Sequence, residues 1–103
     1  MGKTSDITSI SNSIGTTILH GLLVEYTNRK ESITHLSKES VEYRGQSIKK
    51  INRVKLSERD KQIIKNKVIR KINNRLKSKY PDVKISQKEI RRRVDEELFY
   101  FFG

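Results

Sequence analysis

Cysteine, alanine and tryptophan are absent from this chain of 103 residues, and proline occurs once, at Pro81. Without cysteine there is no disulfide framework, no thiolate zinc site and no cysteine nucleophile, and the composition suits a reducing compartment. Without alanine or tryptophan the apolar third of the chain rests on 13 isoleucines, seven leucines and six valines, with four tyrosines and three phenylalanines. Such a core is aliphatic and thin, and a second copy of the chain or a ligand would complete it.

Long apolar runs are missing too. The longest, from Ile18 to Tyr26, is broken by His20, Gly21 and Glu25 and falls short of the about 20 residues that a membrane span needs. The start Met1-Gly2-Lys3 has no apolar signal core, and Asp6 stands where a myristoylation pattern wants serine or threonine. A cytoplasmic, single-domain protein with no membrane association is the expectation, since 103 residues leave too little material for a second core.

What is present in excess is positive charge, and it is localised. Residues 1–43 hold four lysines and arginines against five acids, residues 44–79 hold fourteen against two, and residues 80–103 hold five against five. The middle segment therefore carries the whole formal +11. A face of one sign points to a polyanionic partner, nucleic acid above all; the plainer alternative is a solvated surface that keeps the chain soluble.

Periodicity predicts a mostly α-helical fold: a small helical domain with a long basic helix and a short C-terminal helix. Over residues 1–30, Ile7, Ile10, Ile14, Ile18 and Leu22 recur at three-and-four spacing, which marks an amphipathic helix. Its hydroxyl residues and Gly15 and Gly21 are weak helix formers, so packing has to hold it. Over residues 57–79, Ser57 with Asp60 approximates a capping box, and Ile64, Val68, Ile72 and Leu76 form an i, i+4 row that ends before Pro81. Over 86–102, Ser86 and Glu89 have capping-box spacing ahead of Ile90, Val94 and Leu98.

Residues 31–56 admit two readings. In the first, a helix-turn-helix, Val41, Tyr43, Ile48 and Ile51 are its internal apolar positions, although Lys38 and Glu39 stand where small residues are wanted. In the second, a short β-ribbon, Val41 and Tyr43 alternate in one strand, Arg44 and Gly45 turn, and Val54 and Leu56 point inward from another. A short strand running directly into a helix resembles the opening of a ribbon-helix-helix protein, whose following helix is much shorter; the resemblance implies a dimer with paired strands in the major groove of DNA.

The chemistry-bearing residues follow from these elements. Lys67, Lys71, Arg75 and Lys79 stack on one face of the long helix, where like charges oppose one another by about 0.2–0.5 kcal/mol per pair unless an anion relieves them; the bland reading is snorkelling side chains over a thin core. Gln46, Lys49, Lys50 and Arg53 are candidates for reaching base edges, with Arg44 and Lys55 beside them. Arg91, Arg92 and Arg93 occupy the first half of the last helix and Asp95, Glu96 and Glu97 the second, an order opposed to the helix dipole. Arg91 and Arg92 are candidate phosphate contacts, the third arginine a partner for an acid. Leu98, Phe99, Tyr100, Phe101 and Phe102 are candidate core and homodimer-interface residues.

No enzyme signature accompanies this. His20 and His35 are the only histidines, Glu39 four residues after His35 falls short of a metal-ligand set, and no Gly-rich phosphate loop or nucleophile elbow is present. The expectation is a non-enzymatic protein without metal or cofactor that binds duplex DNA in preference to RNA, a small transcriptional or replicon regulator. The alternatives are an RNA- or ribosome-associated protein, and an interaction module or inhibitor docking on an acidic protein.

Overall fold

The computed structural model describes residues 3–26 and 42–102. Four helices and no strand occur among the described residues: α1 (Lys3–Tyr26), α2 (residues 42–52), α3 (Glu58–Lys79) and α4 (Gln87–Phe102). The mostly helical class expected from periodicity is what the chain adopts.

The core is built from the predicted rows. Ile7, Ile10, Ile14, Ile18 and Leu22 of α1, with Leu19 and Leu23, meet Ile64, Val68, Ile69, Ile72 and Leu76 of α3, and Ile90, Val94 and Leu98 of α4 close the cluster. The hydroxyl residues are accommodated inside α1 by bonding to its own carbonyls. Ser11 Oγ donates to the Ile7 carbonyl at 2.7 Å, Thr16 Oγ1 to Asn12 at 2.8 Å and Thr17 Oγ1 to Ser13 at 2.9 Å. A buried hydroxyl so satisfied carries little desolvation penalty, which is why serine and threonine can line a core helix. By length and composition Thr4–Tyr26 is apolar enough to cross a membrane, contrary to the reading of its longest run. In this fold its apolar row is instead the floor of the core.

The β-ribbon reading is overturned. Residues 42–52 are helical, and the reason is in their burial: Tyr43 is half-buried, Ser47 fully buried and Ile51 packed on the core, a helical rather than alternating period. Ser47 Oγ donates to the Tyr43 carbonyl at 2.8 Å. Val54 and Leu56 still face inward, but from a turn, where the Lys50 and Ile51 carbonyls accept from the Arg53 and Val54 amides at 3.2 and 3.3 Å. The support helix of the helix-turn-helix reading, with Lys38, Glu39 and Val41, lies outside the described residues, as do His35 and residues 27–30.

Both predicted caps form at the serine. Ser57 Oγ accepts from the Asp60 amide at 3.1 Å and Asp60 Oδ2 accepts from the Ser57 amide at 2.9 Å, a complete capping box. Ser86 Oγ accepts from the Glu89 amide at 3.1 Å; the Glu89 carboxylate is directed to Arg92. Tyr80 ends α3, its amide donating to the Leu76 carbonyl at 3.1 Å ahead of Pro81.

Candidate nucleic-acid interface

The groove between α1 and α3 follows from two i, i+4 rows that flank the core rows. On α3, Lys67, Lys71, Arg75 and Lys79 each precede a core position, so they emerge at its rim. On α1, Thr8, Asn12, Thr16 and His20 form an i, i+4 row beside buried Ile7, Ser13, Thr17 and Leu19. The rows run side by side in the same direction, Thr8 and Asn12 beside Lys67 and Lys71, Asn12 to His20 beside Lys71 to Lys79. Each row spans 12 residues, about 18 Å at 1.5 Å per residue.

The groove has an open half and a deeper half. Thr8, Ser11, Asn12, Lys67, Arg70 and Asn74 line the first, a depression of about 450 Å³. The second has the same volume, about 450 Å³, and is walled by Ser13, Thr16, His20, Tyr43, Gln46, Lys50, Lys79 and Tyr80. Asn12, Lys71 and Arg75 belong to both. No carboxylate lines either half among the described residues.

Two of the cations are held in place by neutral groups. Lys71 Nζ donates to the backbone carbonyl of Asn12 at 3.0 Å, and Lys50 Nζ to Ser13 Oγ at 2.9 Å. Their positions are fixed, and among the described residues no carboxylate pairs with them. Burial first, then the adjacent Arg75 and Lys50 charges, pull the Lys71 ammonium below the ordinary lysine range. Gly15 makes this crossing geometrically easy: a Cβ there would sit 3.0 Å from Lys71 Cδ. His20 and Tyr43 meet edge to face, with ring centroids 5.7 Å apart.

Of the residues singled out from the sequence, the structure brings Lys50, Lys67, Lys71, Arg75, Lys79 and Gln46 together in the groove. Lys49 and Arg53 are exposed on the outer side of α2 and its following turn, in register with Gln46, and Lys55 is exposed in the link to α3. Arg44 is elsewhere. It bonds Glu97 at 2.8 Å and lies over the Tyr100 ring at 4.8 Å, pinning α2 to α4.

Arg91 is exposed on α4. Arg92 is clamped by Glu89 and Glu96 of its own helix, and through its hydrogen bonds it holds the Glu89 carboxyl below the usual range. The third arginine, Arg93, pairs with Glu25 of α1, not with the following acids. Asp95 takes Lys65 at 2.7 Å. In the tail Leu98 is core, Phe101 and Phe102 pack against the core, and Phe99 and Tyr100 are 75% and 58% exposed.

Arg70 and the Thr8–Asn12–Thr16–His20 wall were missed by the sequence reading. Their signal was present as a polar i, i+4 row beside the isoleucine row. Among the described residues no group of three or more acids and histidines could hold a metal ion. Comparison with family models, curated proteins and solved structures found no match to this chain.

Proposed function

We propose that this protein binds nucleic acid without chemistry, duplex DNA first, by laying phosphates along the groove between α1 and α3. The observation that carries this reading is the lining of that groove, without an acid among the described residues, by Lys50, Lys67, Arg70, Lys71, Arg75 and Lys79. Such a surface is strained when empty and relieved by phosphate, with counterion release supplying the driving force. The serine, threonine and asparagine groups opposite add neutral donors that suit phosphate oxygens. Gln46, Lys49 and Arg53, exposed beside the groove, carry the amide and guanidinium groups that pair with base edges. A role as a small cytoplasmic transcriptional or replicon regulator rests on that last assignment, and the exposed Phe99 and Tyr100 leave a face on which a second copy would complete a symmetric reader.

Fluorescence anisotropy of labelled duplex DNA, duplex RNA and single strands across a salt series tests this. With six groove cations engaged, duplex DNA binds tightest and log K falls against log salt with a slope of about −5. Lys71→Ala with Arg75→Ala weakens every sequence and lowers the slope by about two, whereas Gln46→Ala relaxes sequence preference. Tighter binding to structured RNA at equal salt would move the reading to an RNA-associated protein. No binding to any of the probes at low salt would overturn it and leave an acidic protein as the partner for this face.

A further inference from the structure

The two halves of the groove differ in a way that uniform phosphate binding does not explain. The open half is lined by short polar side chains and cations, as an internal phosphodiester requires. Each half is lined by four cations, Lys50, Lys71, Arg75 and Lys79 in the deep one, but only the deep half adds three rings, His20, Tyr43 and Tyr80. The two halves have the same volume, about 450 Å³, so the rings and not the size set the deep half apart.

Charge distinguishes the possible occupants. An internal phosphodiester carries one negative charge, while a terminal phosphomonoester carries about −1.5 to −2 at pH 7 and has one more free oxygen. Among the described residues, Lys50 and Lys71 are tethered to the neutral oxygens of Ser13 and Asn12, which preorganises their charges for an anion of higher valence. Among the described residues no acid lines this half, and Glu97, Asp95 and Glu96 are engaged by Arg44, Lys65 and Arg92 on the α4 side. Burial and, after it, the neighbouring Arg75 and Lys50 charges depress the Lys71 ammonium, and a bound dianion offsets both. Tyr43 and Tyr80 line the same cavity, and tyrosine suits the sugar and base that accompany such a phosphate.

We propose that the deep half of the groove, around Lys50, Lys71, Arg75, Tyr43 and Tyr80, receives the terminal phosphomonoester of a nucleic-acid strand. The inference rests on the nucleic-acid reading of the groove as a whole and deepens it: internal phosphates lie along Lys67 and Arg70, and the strand end lies between the rings.

The test compares otherwise identical short duplexes ending in 5′-hydroxyl, 5′-phosphate or 3′-phosphate, by anisotropy at fixed salt. One phosphorylated end binds tighter than the hydroxyl end by about tenfold, the scale of one or two added charge-assisted hydrogen bonds. Lys50→Ala with Tyr43→Ala collapses that ratio to about one, while Lys67→Ala weakens all three probes and keeps the ratio, circular dichroism confirming that both variants are folded. Equal affinity for the hydroxyl and phosphate ends would overturn the strand-end site yet leave the nucleic-acid reading standing. Loss of binding to all three would overturn both. A nucleoside monophosphate that binds as tightly as the phosphorylated duplex would place the ligand free in solution and overturn the strand-end assignment, as would a ratio untouched by Lys50→Ala with Tyr43→Ala.

Discussion

Lys71 shows how one side chain serves fold and site in opposite senses. Its methylenes cross α1 at Gly15 and its ammonium bonds the Asn12 carbonyl, yet it stands between Lys67 and Arg75 in a row of like charges. Between its lowered value and the ordinary 10.5 the unfolded chain holds more protons than the folded one. This group's strain is therefore present at neutral pH and eases as pH rises through that window. Arg75 is exposed and sits one turn from both Lys71 and Lys79, so Arg75→Gln removes two repulsive pairs at almost unchanged helix propensity. The variant should be more stable by about 0.4–1 kcal/mol at low salt, a rise of a few degrees in Tm that vanishes at high salt, while its affinity for DNA falls. Thermal melts in low and high salt check this, and a lower Tm in low salt would mean that the row carries no repulsive strain. The cation row was legible because i, i+4 spacing alone sets it. The partners of Arg44 and Arg93 were not, because Glu97 lies 53 positions from Arg44 and Glu25 is on another helix; no local spacing encodes those pairings.

Among the elements, α1, α3 and α4 were readable because each has an unbroken apolar row of three or more turns, and α3 and α4 have a serine at the start. The helix at residues 42–52 was not. Tyr43, Ile48 and Ile51 are too few to separate a period of 3.6 from a period of 2, and what settles the matter is the burial of Ser47, a polar residue that no apolar pattern counts. The α1 helix tests the division between stability and site. Both Gly15 and Gly21 lie in it, and replacing a helical glycine with alanine gains about 0.5–1 kcal/mol. At Gly21 a Cβ meets nothing within 4 Å, so Gly21→Ala should raise the denaturant midpoint and leave nucleic-acid affinity alone. At Gly15 the new Cβ presses on Lys71 at 3.0 Å. Gly15→Ala should therefore gain less stability and weaken binding, because the lysine must leave its place over Asn12. Urea melts and anisotropy on the two variants check the contrast; equal binding by both would show that the Lys71 position does not matter. A third variant, Ser57→Ala, removes half of the capping box and should cost about 1 kcal/mol, read as a lower urea midpoint.

At the scale of the molecule, the formal +11 is sorted as well as large. The acids of α4 face α2, α3 and their own helix, where Glu97 holds Arg44, Asp95 holds Lys65 and Glu96 holds Arg92, while Lys50, Lys67, Arg70, Lys71, Arg75 and Lys79 line the groove on the α1 side. The segment sums show that residues 44–79 are basic but not which of their charges are already matched, because that depends on how α4 lies against α2 and α3. The sorting gives a prediction that composition cannot make, since cations of equal formal charge should contribute unequally to the salt dependence of binding. Arg70→Ala removes a groove cation and should lower the slope of log K against log salt by about one. Arg92→Ala removes the same charge from a side chain held by two carboxylates and should leave that slope unchanged. Arg44→Ala should likewise leave the slope unchanged but destabilise the fold by about 1–2 kcal/mol, since it loses the Glu97 ion pair and the Tyr100 ring contact that join α2 to α4. Anisotropy titrations at four salt concentrations, with a urea melt on each variant, separate these outcomes. Equal slope changes for Arg70→Ala, Arg92→Ala and Arg44→Ala would show that the protein attracts its partner as a diffuse positive body and not through the groove.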